Sequence, residues 1–192
     1  MGFIAADGYI HKISKGKTRL VIELSEKDEN VLIDFLKDIE SNHPVQKRTS
    51  KTRFGGQSAF ISLTRHTFVS HFISNRVKDS ECFGLIDIRL KPHFIRGLFD
   101  GDGCLHLETY NPEVCGFNAK QYRWILASQH DSMLKQIQDY LIDECQLSRT
   151  KILFQKVWKL KYSGNKQVKR LMDCLYPEGK YPFMNRKSLS PV

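Results

Sequence analysis

The sequence predicts an α+β protein with two pseudo-symmetric αββαββα halves. The first observation is an internal duplication: the opening segment MGFIAADGYI resembles a later segment, FIRGLFDGDG. Gly2 and Gly97 are 95 positions apart, and so are Asp7 and Asp102. Second, a pair of strand-like segments with a short connection follows each copy, which favours antiparallel sheets. Third, an amphipathic helical segment follows each of these pairs.

The duplication predicts an N-terminal half at 1–90 and a C-terminal half at 91–192. Apolar residues alternate in the strand-like segments and recur every three or four positions in the helical ones. In the first half we predict strands 9–14 and 18–24, a helix to about 41, strands 45–52 and 57–65, and a helix at 67–77. In the second we predict strands 103–109 and 122–127, a helix at 133–145, strands 152–158 and 159–163, and a helix at 168–175. Ser25 and Ser128 are predicted helix N-caps, each with an acidic residue three positions later.

Each copy of the duplicated segment is predicted to be a short helix that ends at a glycine. Gly8 and Gly103 are predicted C′ caps in the left-handed conformation, which costs glycine no Cβ clash. Small residues four positions apart form one face of each helix, Gly2 with Ala6 and Gly97 with Gly101. Such faces let two backbones approach closely, so we predict that the helices pack side by side and parallel.

Parallel packing would bring Asp7 and Asp102 together at the carbonyl ends of both helices. Two carboxylates there repel each other, and both helix dipoles add negative potential, unless a cation bridges them. A hard divalent ion such as Mg²⁺ prefers oxygen ligands of this kind. An isolated Asp-Gly is most often only a turn, but the matched second copy favours a paired site. A calcium loop starting at Asp100 is excluded, because Leu105 replaces the required glycine and Asn111 the required glutamate.

Charge and cysteine content limit the class of protein. The 192 residues carry a net charge of +9, which favours a polyanionic partner or else a basic surface that maintains solubility. The five cysteines form no CxxC motif, so we predict reduced thiols in an intracellular protein. Bacterial or phage cytoplasm cannot be distinguished from an organelle. No apolar stretch is long enough to predict a membrane role.

The duplicated segments resemble the two motifs of a single-chain LAGLIDADG homing endonuclease. The resemblance extends over essentially the whole chain and includes a tail, Asn185-Arg186-Lys187. Asp7 and Asp102 occupy the motif position of the metal-binding acid, and Ala5 stands in the first copy where the second has Asp100. The resemblance implies that the antiparallel sheets form one saddle over double-stranded DNA, with the motif helices packed at the centre.

The resemblance implies an enzyme that makes a double-strand break at a long asymmetric site, as in intron homing. It also implies a monomer with pseudo-twofold symmetry. The metal would be Mg²⁺ or another divalent cation such as Mn²⁺, held by the two acids and by the carbonyl groups of Ala6 and Gly101. Further catalytic groups near the scissile phosphates are predicted at Ser25, Gln129 and Lys161.

The free face of each sheet should be basic and polar if it follows a major groove. Arginine and glutamine are expected to read base edges, and lysine to contact phosphate. The candidates in the first half are Tyr9, His11, Arg19, Lys47, Thr49, Lys51, Arg53 and Gln57. Those in the second half are His106, Glu108, Tyr122, Arg123, Lys156, Lys159 and Lys161. Each could instead be a solvated strand residue.

The alternative function is that of a non-cleaving nucleic-acid binder on the same fold, either an intron maturase or a transcription regulator. Both acids of the duplicated segment are present, and binding alone needs no pair of carboxylates facing phosphates. This favours the endonuclease but does not exclude maturase activity in the same chain.

Overall fold

The computed structural model describes residues 1–14, 17–50, 56–64, 69–72, 79–110 and 119–177. The predicted tail motif 185–187 lies outside the described residues, as do 15–16 and 111–118. Of the helix predicted at 67–77, the described part, 69–72, is helical.

The described elements have the predicted order, and the α+β fold class is confirmed. The first half contains α1 (Gly2–Asp7), β1 (Gly8–Ser14), β2 (Lys17–Ser25), α2 (Glu29–Asp38), β3 (Gln46–Ser50) and β4 (Gly56–Leu63). The second contains α3 (Lys91–Asp102), β5 (Gly103–Tyr110), β6 (Ala119–Ser128), α4 (Asp131–Cys145), β7 (Leu153–Gln155), β8 (Val157–Ser163) and α5 (Asn165–Leu175). Short 3₁₀ helices, Glu26–Asp28 and Ile88–Leu90, precede α2 and α3.

Each half has a four-stranded antiparallel sheet with the same topology. The strand order is β1-β2-β4-β3 in one sheet and β5-β6-β8-β7 in the other. Gly8 pairs with Ile22 and Gly103 with Leu126, so the offset between the halves is 95 for the first strands and 104 for the second. The difference of nine residues falls in the β5–β6 connection. Ser25 and Ser128 are 103 positions apart, so matching these predicted caps implies eight extra residues, one fewer than the strand pairing gives.

One face of each sheet is buried against helices, because the second strand of each sheet carries an alternating apolar pattern. Leu20 and Ile22 of β2 are fully buried, as are Trp124 and Leu126 of β6. The Trp124 ring stacks on Phe99 of α3, with ring centroids 4.9 Å apart. This contact fixes the second motif helix against the core side of its sheet.

The buried residues form two separate hydrophobic clusters, one under each sheet. Ile4 of α1 belongs to the first cluster. Cys82 and Phe83, which precede α3, belong to the cluster of the C-terminal half. The division at residue 90 stays a prediction.

Several local predictions differ from the structure. Ser25 and Ser128 make no side-chain cap to α2 or α4; Ser25 precedes the 3₁₀ turn, and Ser128 Oγ accepts from the His130 amide at 3.1 Å. The turn of the last hairpin lies at Lys156, two residues before the predicted one, where φ is +66°. The predicted turn was wrong because neither glycine nor proline marks it.

The prediction of reduced thiols is wrong for one pair of cysteines. Cys145 at the end of α4 and Cys174 in α5 form a disulfide with a Cα–Cα distance of 5.8 Å. Cys82 and Cys104 are free thiols, and burial raises the pKa of Cys82 to about 11. Cys115 lies outside the described residues. Within the described ranges, no helix has the length and apolar character needed to cross a membrane.

Candidate active site and nucleic-acid interface

The two motif helices pack directly backbone to backbone. A β-carbon placed on Gly2 would lie 1.8 Å from the carbonyl oxygen of Phe94, and one placed on Gly97 would lie 2.5 Å from the amide nitrogen of Phe3. Both positions therefore exclude any side chain at the present helix separation. The predicted packing of α1 against α3 through their small residues is confirmed.

The same contact shows that the helices run parallel and end together. Gly2 near the start of α1 meets Phe94 and Leu98, while Gly101 near the end of α3 meets Ala6 and Asp7. A β-carbon on Gly101 would lie 2.2 Å from Ala6 Cβ and 2.7 Å from Asp7 Oδ2. The Asp7 carboxylate thus lies against the residue that precedes Asp102.

Each acid is the last residue of its helix, and the chain continues directly into a strand. Asp7 is half-buried and Asp102 is exposed. Gly8 and Gly103 follow them, with φ of −73° and −93°, so the predicted left-handed caps are wrong. Both glycines are required for space instead, because a β-carbon would lie 2.5 Å from Ile4 O at Gly8 and 2.0 Å from the Phe99 ring at Gly103.

A buried arginine that the sequence analysis missed anchors α3. Arg96 is 6% exposed, donates to the carbonyl oxygen of Leu175 at the end of α5 and to His93 Nδ1, and lies against the Tyr176 ring. Burial and then the Arg96 charge lower the pKa of His93, which keeps its nitrogen available as an acceptor. In the sequence, the only signal for this role is an arginine among the apolar residues of the motif helix. That signal is weak, because it does not show that the side chain is buried.

The outer face of the first sheet carries some of the predicted residues. Tyr9, His11 and Arg19 project there, since Tyr9 pairs with Val21 and His11 with Arg19 opposite the buried face. Tyr9 is 62% exposed and stacks on the His11 ring. Their contact with DNA remains a prediction.

The predicted face is wrong for three other residues of the first half. Thr49 pairs with Gln57, and Lys47 pairs with the buried Ala59, so all three lie on the helix-facing side of β3 and β4. Lys47 forms ion pairs there with the carboxylates of Glu26 and Glu29, at 3.0 and 2.8 Å. The remaining candidates, Lys51 and Arg53, lie outside the described residues.

In the second half, most candidates share the outer face of the sheet. His106 pairs with Arg123, and Lys159 and Lys161 lie on the same side of β8. Tyr122 is the exception: it is 9% exposed and belongs to the core, so its predicted place on the outer face is wrong. Lys156 lies at the exposed hairpin turn and Glu108 on the outer face.

The three further catalytic candidates lie at different places on the two sheets. Lys161 pairs with Ile125, which pairs with Cys104, so Lys161 lies in a cross-strand row that begins two residues after Asp102. Ser25 is exposed at the end of β2, and Gln129 is exposed just beyond β6.

Sequence reasoning also missed an ionic network on the outer face of the first sheet. Glu23 of β2 accepts from Arg48 of β3, with Nε at 2.8 Å, and from Ser58 of β4 at 2.6 Å. The hydrogen bond from Arg48, followed by that from Ser58, lowers the pKa of Glu23 against the opposing effect of its burial. These residues are 25 and 35 positions from Glu23, so no local pattern signals their contact.

The donor set at the shared helix end is compatible with a hard divalent cation. Two carboxylates and the carbonyl groups of Ala6 and Gly101 provide oxygen only, which suits Mg²⁺ or Mn²⁺. Within the described ranges, no cluster of three or more His, Cys, Asp or Glu side chains could hold a metal ion, so a site at this end would depend on the two acids and on backbone carbonyl groups. On the chemistry of its oxygen donors, this end of the helices is the candidate metal centre.

Solved structures share the fold of this chain. The LAGLIDADG homing endonuclease I-LtrWI bound to target DNA matches with a TM-score of 0.63 at 11% identity, over 97% of this chain and 84% of that one. Variants of the homing endonuclease I-DmoI match with a TM-score of 0.59 at 14% identity, over 91% of both chains. This chain has the LAGLIDADG fold. The predicted resemblance is thereby confirmed for the fold.

The LAGLIDADG fold also occurs in a neighbour that is not named as an endonuclease. The N-terminal LAGLIDADG domain of DUF199/WhiA matches with a TM-score of 0.54 at 18% identity, over 91% of this chain and 77% of that one. No protein-family model and no curated protein sequence matches the chain. The fold alone therefore does not decide between cleavage and binding.

Proposed function

We propose that this LAGLIDADG protein is a site-specific endonuclease that makes a double-strand break in DNA by metal-dependent phosphodiester hydrolysis. The observation that carries the proposal is the parallel pair of motif helices, each ending in an acid. The Asp7 carboxylate lies against Gly101, next to Asp102, at the negative ends of both helix dipoles. Binding DNA alone does not require a pair of carboxylates at the negative ends of two helix dipoles.

Asp7 and Asp102, with the carbonyl groups of Ala6 and Gly101, would hold Mg²⁺ or Mn²⁺. The ion would supply activation of water and stabilisation of charge on the leaving oxygen. The absence of a side chain at Gly101 makes room for the Asp7 carboxylate, because a β-carbon there would lie 2.7 Å from Asp7 Oδ2. Lys161, Gln129 and Ser25 are proposed to contribute from the surrounding strands, with the Lys161 ammonium group neutralising a phosphate near Asp102.

The proposed substrate is duplex DNA with a long asymmetric target site, bound by a monomer with pseudo-twofold symmetry. Two observations support it: the similarity to a structure bound to target DNA, and a duplicated cross-strand pair. His11 pairs with Arg19 in the first sheet, and His106 pairs with Arg123 at the corresponding position in the second. Different side chains surround the two pairs, so the two half-sites would differ.

The second candidate function is that of a non-cleaving DNA binder, a regulator or a maturase. The similarity to the LAGLIDADG domain of DUF199/WhiA favours it. The two acids argue against it, because carboxylates directed at phosphates weaken binding unless a cation bridges them.

One selection experiment tests cleavage and finds the target. A library of random DNA duplexes is incubated with the protein and Mg²⁺, and the cleaved molecules are captured by their new ends and sequenced. The proposal predicts enrichment of one long asymmetric site that is lost in EDTA. Duplex retention without any enriched cleaved site, with both Mg²⁺ and Mn²⁺, would instead favour the non-cleaving binder.

The affinity for duplex DNA should fall steeply with salt. The chain has a net charge of +9, and binding of its basic outer faces to DNA releases counterions from the phosphates. The slope of log K against log[salt] is then about −0.9 per phosphate contacted. With six or more contacts, affinity should fall roughly 10³-fold between 50 and 200 mM salt. Fluorescence anisotropy with a labelled duplex measures this slope, and an affinity independent of salt would contradict the basic saddle.

A further inference from the structure

Several contacts fix the side chain of Arg48 on the outer face of the first sheet. Its guanidinium makes a bidentate contact with Glu23, through Nε at 2.8 Å and through Nη2, and its Cζ lies 5.0 Å from the centroid of the Phe60 ring. Ser58 donates to the same carboxylate at 2.6 Å. The Arg48 side chain is nevertheless 56% exposed, so a DNA duplex on this face could still contact the guanidinium.

A second arginine is held in the other half. Arg123 Nη2 lies 2.5 Å from Glu108 Oε2 on the outer face of β5 and β6. Its pseudo-symmetric equivalent, Arg19, has Ile13 where Arg123 has Glu108, given the offset of 95 between β1 and β5. Within the described ranges, Arg19 forms no ion pair and its Nε has no hydrogen-bond partner. The outer faces of the two sheets therefore differ at equivalent positions.

An ion pair with a carboxylate changes how an arginine side chain can contact DNA. An unpaired guanidinium binds any phosphate, and this sequence-independent attraction provides most of the non-specific affinity. A bidentate carboxylate offsets the positive charge and fixes the plane of the guanidinium, while the remaining N–H donors stay directed outward. Such an arginine contributes little to diffuse phosphate binding but keeps the fixed donors that a guanine edge requires.

We propose that Glu23 and Glu108 are specificity-determining positioning residues, which hold Arg48 and Arg123 as readers of base edges and suppress their binding to phosphates. The inference rests on the proposed function as a site-specific binder of duplex DNA. It adds that discrimination comes partly from acidic residues on the basic face. Arg19 provides the unpaired counterpart, a cation that contacts phosphate or base without such control.

The test uses the full chain with glutamine variants and controls of equal charge. Glu23→Gln and Glu108→Gln each break one outer-face pair. Glu26→Gln removes the same charge beside Lys47 on the helix-facing side of the first sheet, and Asp173→Asn does so beside Lys169 on α5. The two control pairs are exposed, while Glu23, Glu108 and Arg123 are about one third exposed. Exposed ion pairs contribute little to stability, and thermal unfolding checks that the two test variants fold as the controls do.

Two readouts in Ca²⁺, without cleavage, separate the roles. The first is affinity for a labelled random-sequence duplex at several salt concentrations, and the second is the base preference of duplexes retained from a random library. Glu23→Gln and Glu108→Gln should each bind the random duplex about fivefold more tightly at low salt. Each should steepen the salt slope by about 0.9, and each should flatten base preference in one half-site only. Both control variants should match the original protein.

Arg48→Lys separates charge from geometry. Lysine keeps the positive charge but lacks the planar set of N–H donors of the guanidinium. The base preference should therefore weaken while the salt slope stays unchanged. If Glu23→Gln and Glu108→Gln behave like their controls while the original protein binds duplex selectively, the inference is overturned and the proposed function stands. If the original protein shows no retention of any duplex, the proposed function fails and the inference fails with it.

Discussion

Replacing Asp7 or Asp102 with asparagine is expected to abolish DNA cleavage while leaving duplex affinity within about twofold. Asparagine keeps the shape of the side chain but removes the charge that a divalent cation requires of its ligand. Losing one group that stabilises transition-state charge typically costs about 10²–10³ in rate, and losing the ion that the group holds should cost more. Single-turnover cleavage of the selected target in Mg²⁺ measures the effect, and anisotropy in Ca²⁺ measures affinity.

Stability should change in the opposite direction to activity. In the metal-free protein each carboxylate lies at the negative end of a helix dipole, so its neutralisation should stabilise the fold by about 0.3–1 kcal/mol. A gain of this size raises the unfolding midpoint by a few degrees at most, on the order of 2 °C. Asp34→Asn, at an exposed acid of α2 paired with Lys37, provides a control with unchanged cleavage. Full cleavage by both the Asp7 and Asp102 variants would exclude the proposed site.

The pairing of the motif helices could be predicted from sequence because the signal is local and steric. Gly2 and Ala6 on one helix, and Gly97 and Gly101 on the other, mark the side where only small residues fit. The reason for Gly8 was not predictable in the same way. Glycine there was interpreted as a need for positive φ, whereas the structure requires it for close packing against Ile4.

Strand faces were predicted correctly only where an apolar alternation fixed them. In β2, Leu20 and Ile22 are buried, so the alternation of side chains along the strand directs Arg19 outward. The β3 segment QKRTS has no apolar residue, so nothing in it distinguishes the faces, and a slip of one residue exchanges Lys47 for Arg48. Tyr122 and its neighbour Arg123 could not both point outward, which the alternation of β6 could have signalled.

The network around Glu23 depends on the strand order. Arg48 and Ser58 come from the third and fourth strands in the chain, and they meet Glu23 only because β4 pairs with both β2 and β3. A sequence read as consecutive hairpins gives no such contact. Basic residues can therefore be counted from sequence, but which of them a carboxylate neutralises requires the sheet.

The close approach of the motif helices predicts the second large effect. Gly97→Ala and Gly101→Ala should each destabilise the protein by about 1–3 kcal/mol, as overpacking of a tight interface does. The sign is informative, because alanine in a helix interior is otherwise favoured over glycine by about 1 kcal/mol. The loss should lower the unfolding midpoint by roughly 2–4 °C per kcal/mol for a chain of this size.

Gly101→Ala should reduce cleavage as well as stability. The added carbon would lie 2.2 Å from Ala6 Cβ and 2.7 Å from Asp7 Oδ2, so the helices must separate and the Asp7 carboxylate must move. Because catalysis depends on the position of that carboxylate to within about 1 Å, a decrease in cleavage of roughly 10²-fold is expected at temperatures where the variant remains folded. Gly56→Ala provides the control, since no atom of the described residues, apart from the chain neighbours of Gly56, lies within 4 Å of a β-carbon there. If Gly101→Ala unfolded at the same temperature as Gly56→Ala and cut at the original rate, the helices would not be in the contact that places Asp7 beside Asp102.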